Sequence, residues 1–211
     1  MKSKKQLLVE LIPKTCHYSN VRTTVKPSEW DKIRKISYTK ADNKCEICKE
    51  SGKNQGYKHN VECHEIWEYD DVNHVQKLIG LISLCPNCHL TKHIGRAMAM
   101  GREQICYTQM IKVNKWTQKQ IDDHIIASFE VHKERSKHKW ELDITLLEKA
   151  PYEITLKNVR DRIFEVKKYK KKKKKKAVAG APKKIHPRAK IANALKGTTK
   201  TATKKRPPKK S

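Results

Sequence analysis

The chain has 211 residues, enough for one folded domain and an appendage, and its 49 Lys and Arg against 22 Asp and Glu give a formal charge of +27. Twenty of these basic residues lie in residues 167–211, which contain no Asp or Glu, so residues 1–166 carry a formal charge of only +7. No apolar run approaches the roughly 18 residues of a spanning helix, and Glu10 interrupts the short apolar stretch near the start. The composition therefore predicts neither a membrane anchor nor a signal peptide.

Composition divides the chain into four segments. Residues 1–27 are predicted to form an irregular lead-in, in which residues 7–12 could be a short strand or a packed segment. Residues 28–150 are predicted to form the folded domain, and residues 151–166 connect it to a tail, residues 167–211. The tail has almost no bulky apolar residues, so we expect it to be disordered when free.

Helix and strand signals follow one another along the folded domain. Ser28 is the predicted N-cap of a helix over residues 29–41. Residues 61–69 are predicted to form a strand that could continue as a hairpin toward Asp71, and the apolar residues 78–84 are predicted to pack. These few strand signals among several helix signals predict an α+β fold. Further helices are predicted over 87–100, over 103–113 and from Thr117 onward, followed by a packed segment over 142–147.

Two Cys pairs have the spacing of metal-binding turns. Cys45 and Cys48 form one pair, Cys85 and Cys88 form the other, and thirty-six residues separate the pairs. A gap of two residues lets both thiolates of a tight turn point at one ion, and two such turns supply the four sulfurs of tetrahedral zinc. Because the chain shows no secretory signal, we expect zinc in a reducing intracellular compartment rather than disulfides. The remaining Cys residues are interpreted as small apolar side chains: Cys16, Cys63 and Cys106.

Three His residues accompany the Cys pairs. His89 and His93 follow the second pair and are four residues apart on a predicted helix, so both imidazoles lie on one face. His64 lies on the predicted strand 61–69. Together they could bind a second, catalytic ion and leave coordination positions open for phosphate and water. Three imidazoles favour a transition ion, whereas an added carboxylate would favour Mg²⁺ or Mn²⁺.

These segments resemble the HNH endonuclease superfamily, whose fold is the ββα-metal or treble-clef type. The resemblance rests on the first Cys pair, on the His-bearing strand 61–66 and on the Leu-Cys-x-x-Cys-His-x-x-x-His pattern of residues 84–93. Residues 11–16, 30–31 and 67–70 are also similar, so that the resemblance covers roughly residues 7–147. It implies a small ββα-metal zinc core with flanking α-helices.

The resemblance also implies an activity, the metal-dependent hydrolysis of phosphodiester bonds in DNA. His64 would take the first metal-ligand place, and His89 and His93 would take the places on the helix. The ion, Mg²⁺, Mn²⁺ or Zn²⁺, would polarise the scissile phosphate. Where the family usually has a general-base His this chain has Glu65, and the family's usual Asn falls near Gly80. His64 and Glu65 are therefore the predicted catalytic residues, with Glu65 as base or as an additional metal ligand.

Strand alternation bears directly on that role of Glu65. In a regular strand, Glu62 and His64 face one side of the sheet and Glu65 faces the other. The side chains of His64 and Glu65 could approach the same ion only if the strand twists or bulges at this point. His59 or His74 could replace Glu65 as the base if a loop brings either of them close.

Other functions stay open beside the nuclease. The second interpretation is a catalytically inactive DNA-binding or packaging protein, in which the zinc domain is a rigid adaptor. A third interpretation, a redox or chaperone zinc protein, has only the Cys pairs in its favour. On the predicted metal-binding helix, Lys92 and Arg96 could contact phosphates or could simply form a solvated face.

The basic tail resembles the tails of linker histones. Such a segment binds phosphates without sequence preference by releasing counterions, so DNA is the expected partner and RNA stays open. Its Lys runs also resemble nuclear-import signals, which would fit a nuclear protein or one from a virus that replicates in the nucleus. The sequence gives no indication of the oligomeric state. The longest run comprises Lys170, Lys171, Lys172, Lys173, Lys174, Lys175 and Lys176.

Overall fold

The computed structural model describes residues 5–156, which combine six α-helices with one three-stranded sheet. This arrangement confirms the predicted α+β class. The tail over residues 167–211, its Lys170–176 run and the last part of the connecting segment lie outside the described residues. No helix within residues 5–156 is long and apolar enough to cross a membrane. The elements are α1 (Val21–Thr24), α2 (Pro27–Lys40), β1 (Glu62–Asp70), β2 (Val75–Leu84), α3 (Pro86–Lys92), α4 (Ile94–Ala99), α5 (Glu103–Asn114), α6 (Gln118–Arg135) and β3 (Glu141–Asp143).

The β1–β2 hairpin separates two hydrophobic cores. Strands β1 and β2 pair antiparallel, and β3 adds to the far side of β2 in parallel, so β1 forms one edge of the sheet. Alternation along β1 sends Ile66 into one core and Trp67 into the other. The register shifts between these two residues, which marks a β-bulge. Each face of the hairpin is therefore buried against helices over part of its length.

The first core packs the N-terminal segment against α3, α4, α5 and α6. Leu7 is fully buried and Val9 nearly so, although residues 5–13 form neither helix nor strand. The backbone of Leu7 instead pairs with Asn114, donating to its Oδ1 at 2.8 Å and accepting from its Nδ2 at 2.9 Å. Burial of one such aliphatic side chain contributes about 1.5–3 kcal/mol. Of the two alternatives for residues 7–12, the packed segment is confirmed.

The second core lies on the opposite face of the hairpin. Val21 of α1, Ile33 of α2 and Leu78 of β2 meet there with Leu147, and all four side chains are almost completely buried. Leu147 belongs to a short 3-10 helix that follows β3, which accounts for the packed segment predicted over 142–147. This core supports the face of β1 that carries Trp67.

Three predicted boundaries differ from the structure. Helix α2 begins at Pro27, and Glu29 accepts a hydrogen bond from the backbone N–H of Lys26 at 2.6 Å, so Ser28 is not the N-cap. Pro at the first helical position needs no backbone donor, which favours this earlier start. The helix predicted over 87–100 is two helices, because His93 leaves the helical conformation at φ −102° and ψ 44°. The apolar residues 78–84 belong to the longer strand β2.

Candidate metal centres

Four Cys side chains converge where the loop after α2 meets the start of α3. Cys45 and Cys48 lie in a turn after α2, Cys85 immediately precedes α3, and Cys88 lies in its first turn. The four Sγ atoms all lie within 4.8 Å of one another, and those of Cys48 and Cys85 are 3.5 Å apart. The predicted convergence of these four residues is confirmed. Four sulfurs at this spacing have the arrangement of a tetrahedral metal site.

Hydrogen bonds from nearby amides reach the sulfurs of this Cys cluster. Gln55 donates through Nε2 to Sγ of Cys85 at 3.2 Å, and Gln109 donates through Nε2 to Sγ of Cys88 at 3.1 Å. Gln109 is buried, so its amide has little access to water. Donors aimed at sulfur stabilise the thiolate, which is the form that binds metal. The surroundings of the cluster thus match its donor set and would suit a closed, structural ion.

Three imidazoles form a second group beside the first. His64 of β1, His89 of α3 and His93 at the break between α3 and α4 each place one ring nitrogen within 4.8 Å of the others. Their ring centroids are 4.8–5.2 Å apart, and the rings meet edge to face. The predicted convergence of these residues is therefore confirmed. This three-His group could hold a transition ion.

Burial keeps two of these imidazoles neutral. Desolvation lowers the pKa of His93 to about 3, and it lowers the pKa of His64 below its usual value although the nearby Glu10 opposes the change. Neutral imidazole is the form that binds a metal ion. The three-His group is thus prepared for an ion at neutral pH without first releasing protons from these two rings.

Glu10 orients His64 from the N-terminal segment. Its Oε2 lies 2.7 Å from Nε2 of His64, and its Oε1 bonds the ammonium group of Lys92. Burial raises the pKa of Glu10, but the hydrogen bond from His64 and the charge of Lys92 outweigh that effect and hold it at about 2. The ionised carboxylate can only accept, so the proton of His64 lies on Nε2 and its Nδ1 has a free lone pair.

Glu62 orients His89 through a hydrogen bond, as Glu10 orients His64. Its Oε2 bonds Nδ1 of His89, and its Oε1 lies 3.0 Å from Nε2 of His59. The hydrogen bond from His89 lowers the pKa of Glu62 to about 2, despite partial burial. The proton of His89 therefore lies on Nδ1, which leaves Nε2 free for an ion. Carboxylate–imidazole pairs of this kind fix the ring and raise its basicity in metal sites. His59 was one of the alternatives to Glu65 as the general base, but in the structure it contacts Glu62.

Lys92 is buried, whereas the sequence predicted either a phosphate contact or a solvated position. It is 6% exposed, and its ammonium group bonds Glu10. A phosphate could reach this nitrogen only by displacing a carboxylate that also orients His64. The predicted phosphate contact through Lys92 is therefore corrected to a buried ion pair. Arg96, on the next helix, is exposed and has no carboxylate within ion-pair distance in residues 5–156.

Glu65 lies on the opposite face of β1 from the three-His group. Its Oε1 accepts a hydrogen bond from the backbone N–H of Val21 at 2.9 Å, at the start of α1. The bulge in the hairpin follows Ile66, too late to turn Glu65 toward His64. Burial raises the pKa of Glu65 to about 7, although the backbone N–H groups of α1 oppose the change. The structure therefore does not bring Glu65 into the group of potential metal ligands.

The remaining alternatives for the base lie elsewhere. His74 follows β1 in the hairpin turn and stacks on His138, with ring centroids 4.2 Å apart. It is not part of the three-His group. Gly80 pairs with Ile66 in the hairpin and has no side chain to orient a base, as the sequence indicated. Cys16 and Cys106 are buried and Cys63 half-buried, outside the Cys cluster.

A cavity of about 380 Å³ opens beside the three-His group. His64, His89 and His93 form part of its wall, and Arg22 and Arg96 supply positive charge there. Glu65 also borders this cavity, because the cavity reaches residues on both faces of the edge strand β1. An ion in the three-His group would thus lie next to a space large enough for part of a substrate.

Sequence reasoning missed the residues that orient the imidazoles. In the sequence Glu10 only interrupts an apolar stretch, and its partner His64 is 54 residues away. Strand alternation placed the side chain of Glu62 on the same face as His64, and this position could have indicated that Glu62 contacts the His residues. Comparisons of the chain with models of protein families, with curated proteins and with solved structures give no match.

Proposed function

We propose that the chain is a metal-dependent endonuclease of the HNH type that hydrolyses phosphodiester bonds in DNA. The observation that carries the proposal is the three-His group, formed by His64 of β1 and by His89 and His93, which lie within and at the end of helix α3, the helix that also carries Cys88. A hairpin that carries His64, followed by a helix that carries His89, supports the proposal, because the resemblance implies a ββα order of elements. A structural zinc ion in the Cys cluster would fix the start of α3, and with it His89.

The donor set favours a transition ion in the three-His group. Imidazole is a ligand of intermediate softness, and Glu65, the carboxylate that would have favoured Mg²⁺, lies on the other face of β1. We therefore expect a transition ion, with Zn²⁺ favoured over Mn²⁺, rather than Mg²⁺. Three protein ligands leave coordination positions for a phosphate oxygen and a water molecule.

Residues of the chain would position the substrate around this ion. When bound, the ion would polarise the scissile phosphate and lower the pKa of its bound water. Arg96 and Arg22 border the same cavity and are exposed, so each could contact a phosphate of the strand. Glu10 and Glu62 would hold their imidazoles in place, so that little reorganisation is needed when substrate binds.

The basic tail would add affinity without discrimination. Its Lys170–176 run would contact phosphates of any sequence and would make binding strongly dependent on salt. We propose that the tail holds the enzyme on DNA while the folded domain supplies the chemistry.

Nicking of supercoiled plasmid tests the function. Wild-type protein should nick with Mn²⁺ or Zn²⁺ and should be inactive in excess EDTA. His89→Ala should lower the rate by roughly 100-fold or more, because it removes an ion ligand, whereas His138→Ala, an exposed His outside the group, should keep it. Equal nicking by wild type and His89→Ala would refute the assignment.

A catalytically inactive DNA-binding protein is the second candidate. The observation in its favour is that Val21 engages the carboxylate of Glu65, the predicted base, away from the three-His group. On this hypothesis the protein binds plasmid in a salt-dependent manner but does not nick it with Mg²⁺, Mn²⁺ or Zn²⁺.

A further inference from the structure

The cavity beside the three-His group has a second end, formed by other residues. Trp30 of α2, Trp67 of β1 and Gln76 of β2 line it there. Trp67 and Gln76 lie on the face of the hairpin opposite His64, because Trp67 packs in the second core and Gln76 is two residues from Leu78 of that core on β2. The two ends thus lie on opposite sides of the edge strand β1.

Gln76 is a buried amide without a partner. Its side chain is 1% exposed, and neither Nε2 nor Oε1 has a hydrogen-bond partner in the described part of the chain. Tyr69 stands opposite it in the β1–β2 register, and its hydroxyl group is buried and unpartnered as well. A buried polar group that loses its hydrogen bonds costs about 1–3 kcal/mol, and such groups are rare in folded proteins. These two groups are neighbours in register and Gln76 lines the cavity, which indicates a polar partner from outside the described residues.

The chemistry of Gln76 restricts what that partner can be. An amide presents two donor hydrogens and one acceptor oxygen side by side. A phosphate offers only acceptors, and a metal ion needs only acceptors, so either would leave half of the amide unpaired. A nucleobase edge offers a donor next to an acceptor, and the match of Gln with the N6 and N7 atoms of adenine is bidentate.

The aromatic wall fits the same ligand. Trp30 and Trp67 are half-buried and line the cavity, so parts of their indole rings are available to a flat partner. Stacking of a base on an aromatic side chain is one of the principal ways in which proteins hold unpaired bases. At about 380 Å³ the cavity is within the size range of ligand pockets.

We propose that this end of the cavity is a base pocket, which binds an unstacked base of the substrate strand and prefers adenine. The proposal rests on the proposed function for the identity of the strand. His64 and Tyr69 are five residues apart on β1, which corresponds to about 16 Å along a strand. A phosphate at the three-His group and a base at Gln76 therefore belong to different, neighbouring nucleotides. The pocket would read one base near the cleavage position, which the ion site alone cannot do.

Binding of free deoxynucleosides tests the base pocket without any role for the ion or the phosphate. Equilibrium dialysis against the four deoxynucleosides, with deoxyribose as the probe that lacks a base, should show the tightest binding for deoxyadenosine. We expect a preference over the other three of roughly fivefold or more, the lower end for one bidentate contact. Equal binding of all four, or no binding beyond that of deoxyribose, would overturn the proposal.

Substitutions at Gln76 test whether this side chain causes the preference for deoxyadenosine. Gln76→Leu should abolish it, and Gln76→Glu, which keeps the shape but removes the donors, should weaken deoxyadenosine binding to the level of the other nucleosides. Gln104→Leu, at an exposed position on α5, is the matched control and should leave the preference unchanged. A preference that survives in both Gln76 variants would contradict the assignment. Plasmid nicking is scored separately, so a protein that nicks but ignores the base refutes only the pocket, and one that selects deoxyadenosine without nicking refutes only the nuclease.

Discussion

Oε2 of Glu10 lies 2.7 Å from Nε2 of His64, so a residue of the N-terminal segment orients the imidazole ring of a strand residue 54 positions later in the chain. A backbone hydrogen bond also holds this segment against α3: the N–H of Glu10 donates to the carbonyl oxygen of Lys92 at 2.9 Å. The same carboxylate neutralises the buried ammonium group of Lys92. Glu10 thus connects the first core to the three-His group.

Replacement of Glu10 should weaken ion binding at the three-His group. In Glu10→Gln the neutral amide still fills the space, but it no longer fixes the proton of His64 on Nε2, so the ring can present the wrong nitrogen. Loss of such an outer carboxylate typically lowers metal affinity by roughly 10- to 100-fold. Competition of Mn²⁺ or Zn²⁺ against a chelating dye, with the Cys cluster already occupied, measures the change.

Glu50→Gln is the matched control for this substitution. Glu50 also pairs with a Lys, Lys112 at 3.3 Å, but on the surface and away from the imidazoles. The Glu50→Gln variant should bind the ion of the three-His group with the same affinity as the wild-type protein. An unchanged affinity in Glu10→Gln would show that His64 is held without the carboxylate.

Removal of one sulfur from the Cys cluster should prevent cooperative folding. A structural zinc ion contributes about 10–16 kcal/mol in small zinc domains, whereas whole domains have unfolding free energies of about 5–15 kcal/mol. Cys85→Ser should therefore lose bound zinc and its thermal transition together. Zinc analysis of the purified protein and calorimetry measure both effects.

Cys63→Ser separates the zinc effect from the loss of any thiol. Cys63 is half-buried on β1 and outside the Cys cluster, so this variant should keep its zinc and change the unfolding free energy by no more than about 1–2 kcal/mol. Native zinc content in Cys85→Ser would exclude the proposed structural ion.

The sequence predicted the candidate metal ligands because their geometry is local. A Cys pair with two intervening residues, or two His four positions apart on a helix, must bring its donors together whatever the rest of the fold does. Alternation also placed Glu62 with His64, and Glu65 on the other face, as the structure has them. These features depend on one turn, one strand and one helix.

Long-range contacts could not be read in this way. The burial of Lys92 depends on Glu10, which comes from a segment with no regular structure. The break at His93 was also hidden, because residues 87–100 contain no Pro, and Gly95 within that stretch gave no clear stop. The full extent of β2 was not predicted because residues 78–84 are mostly apolar, whereas the part of β2 before Leu78 includes Gln76 and Lys77.

His124 should make stability depend on pH. Its Nε2 accepts a hydrogen bond from the backbone N–H of Val9 at 2.9 Å, so that nitrogen carries no proton. Burial, with a contribution from the charge of Lys92, lowers the pKa of His124 below its usual 6.5. The unfolded chain then binds more protons than the folded one just below pH 6.5. The free energy of unfolding should therefore fall as the pH drops from that value through the lowered pKa.

His124→Gln isolates this effect, because Gln offers an acceptor oxygen and does not titrate. Between about pH 7.5 and pH 5, its free energy of unfolding should fall less than that of wild type. One group contributes at most about 1.4 kcal/mol per pH unit, and half-buried His124 should contribute well below that ceiling. Denaturant titrations at several pH values give both curves. Parallel curves would show that His124 has no part in the acid sensitivity.

Helix α3 carries donors for both centres, with Cys88 and His89 as adjacent residues. On the proposed function, an ion bound at one end of this short helix would order the helix, so that the second ion would lose less conformational entropy on binding and the two equilibria would be linked. Such linkage is reciprocal, and each ion should tighten the other by the same factor. If both centres hold zinc, as proposed, a cell poor in zinc would lose both ions together, and the proposed nuclease activity would then respond to metal supply.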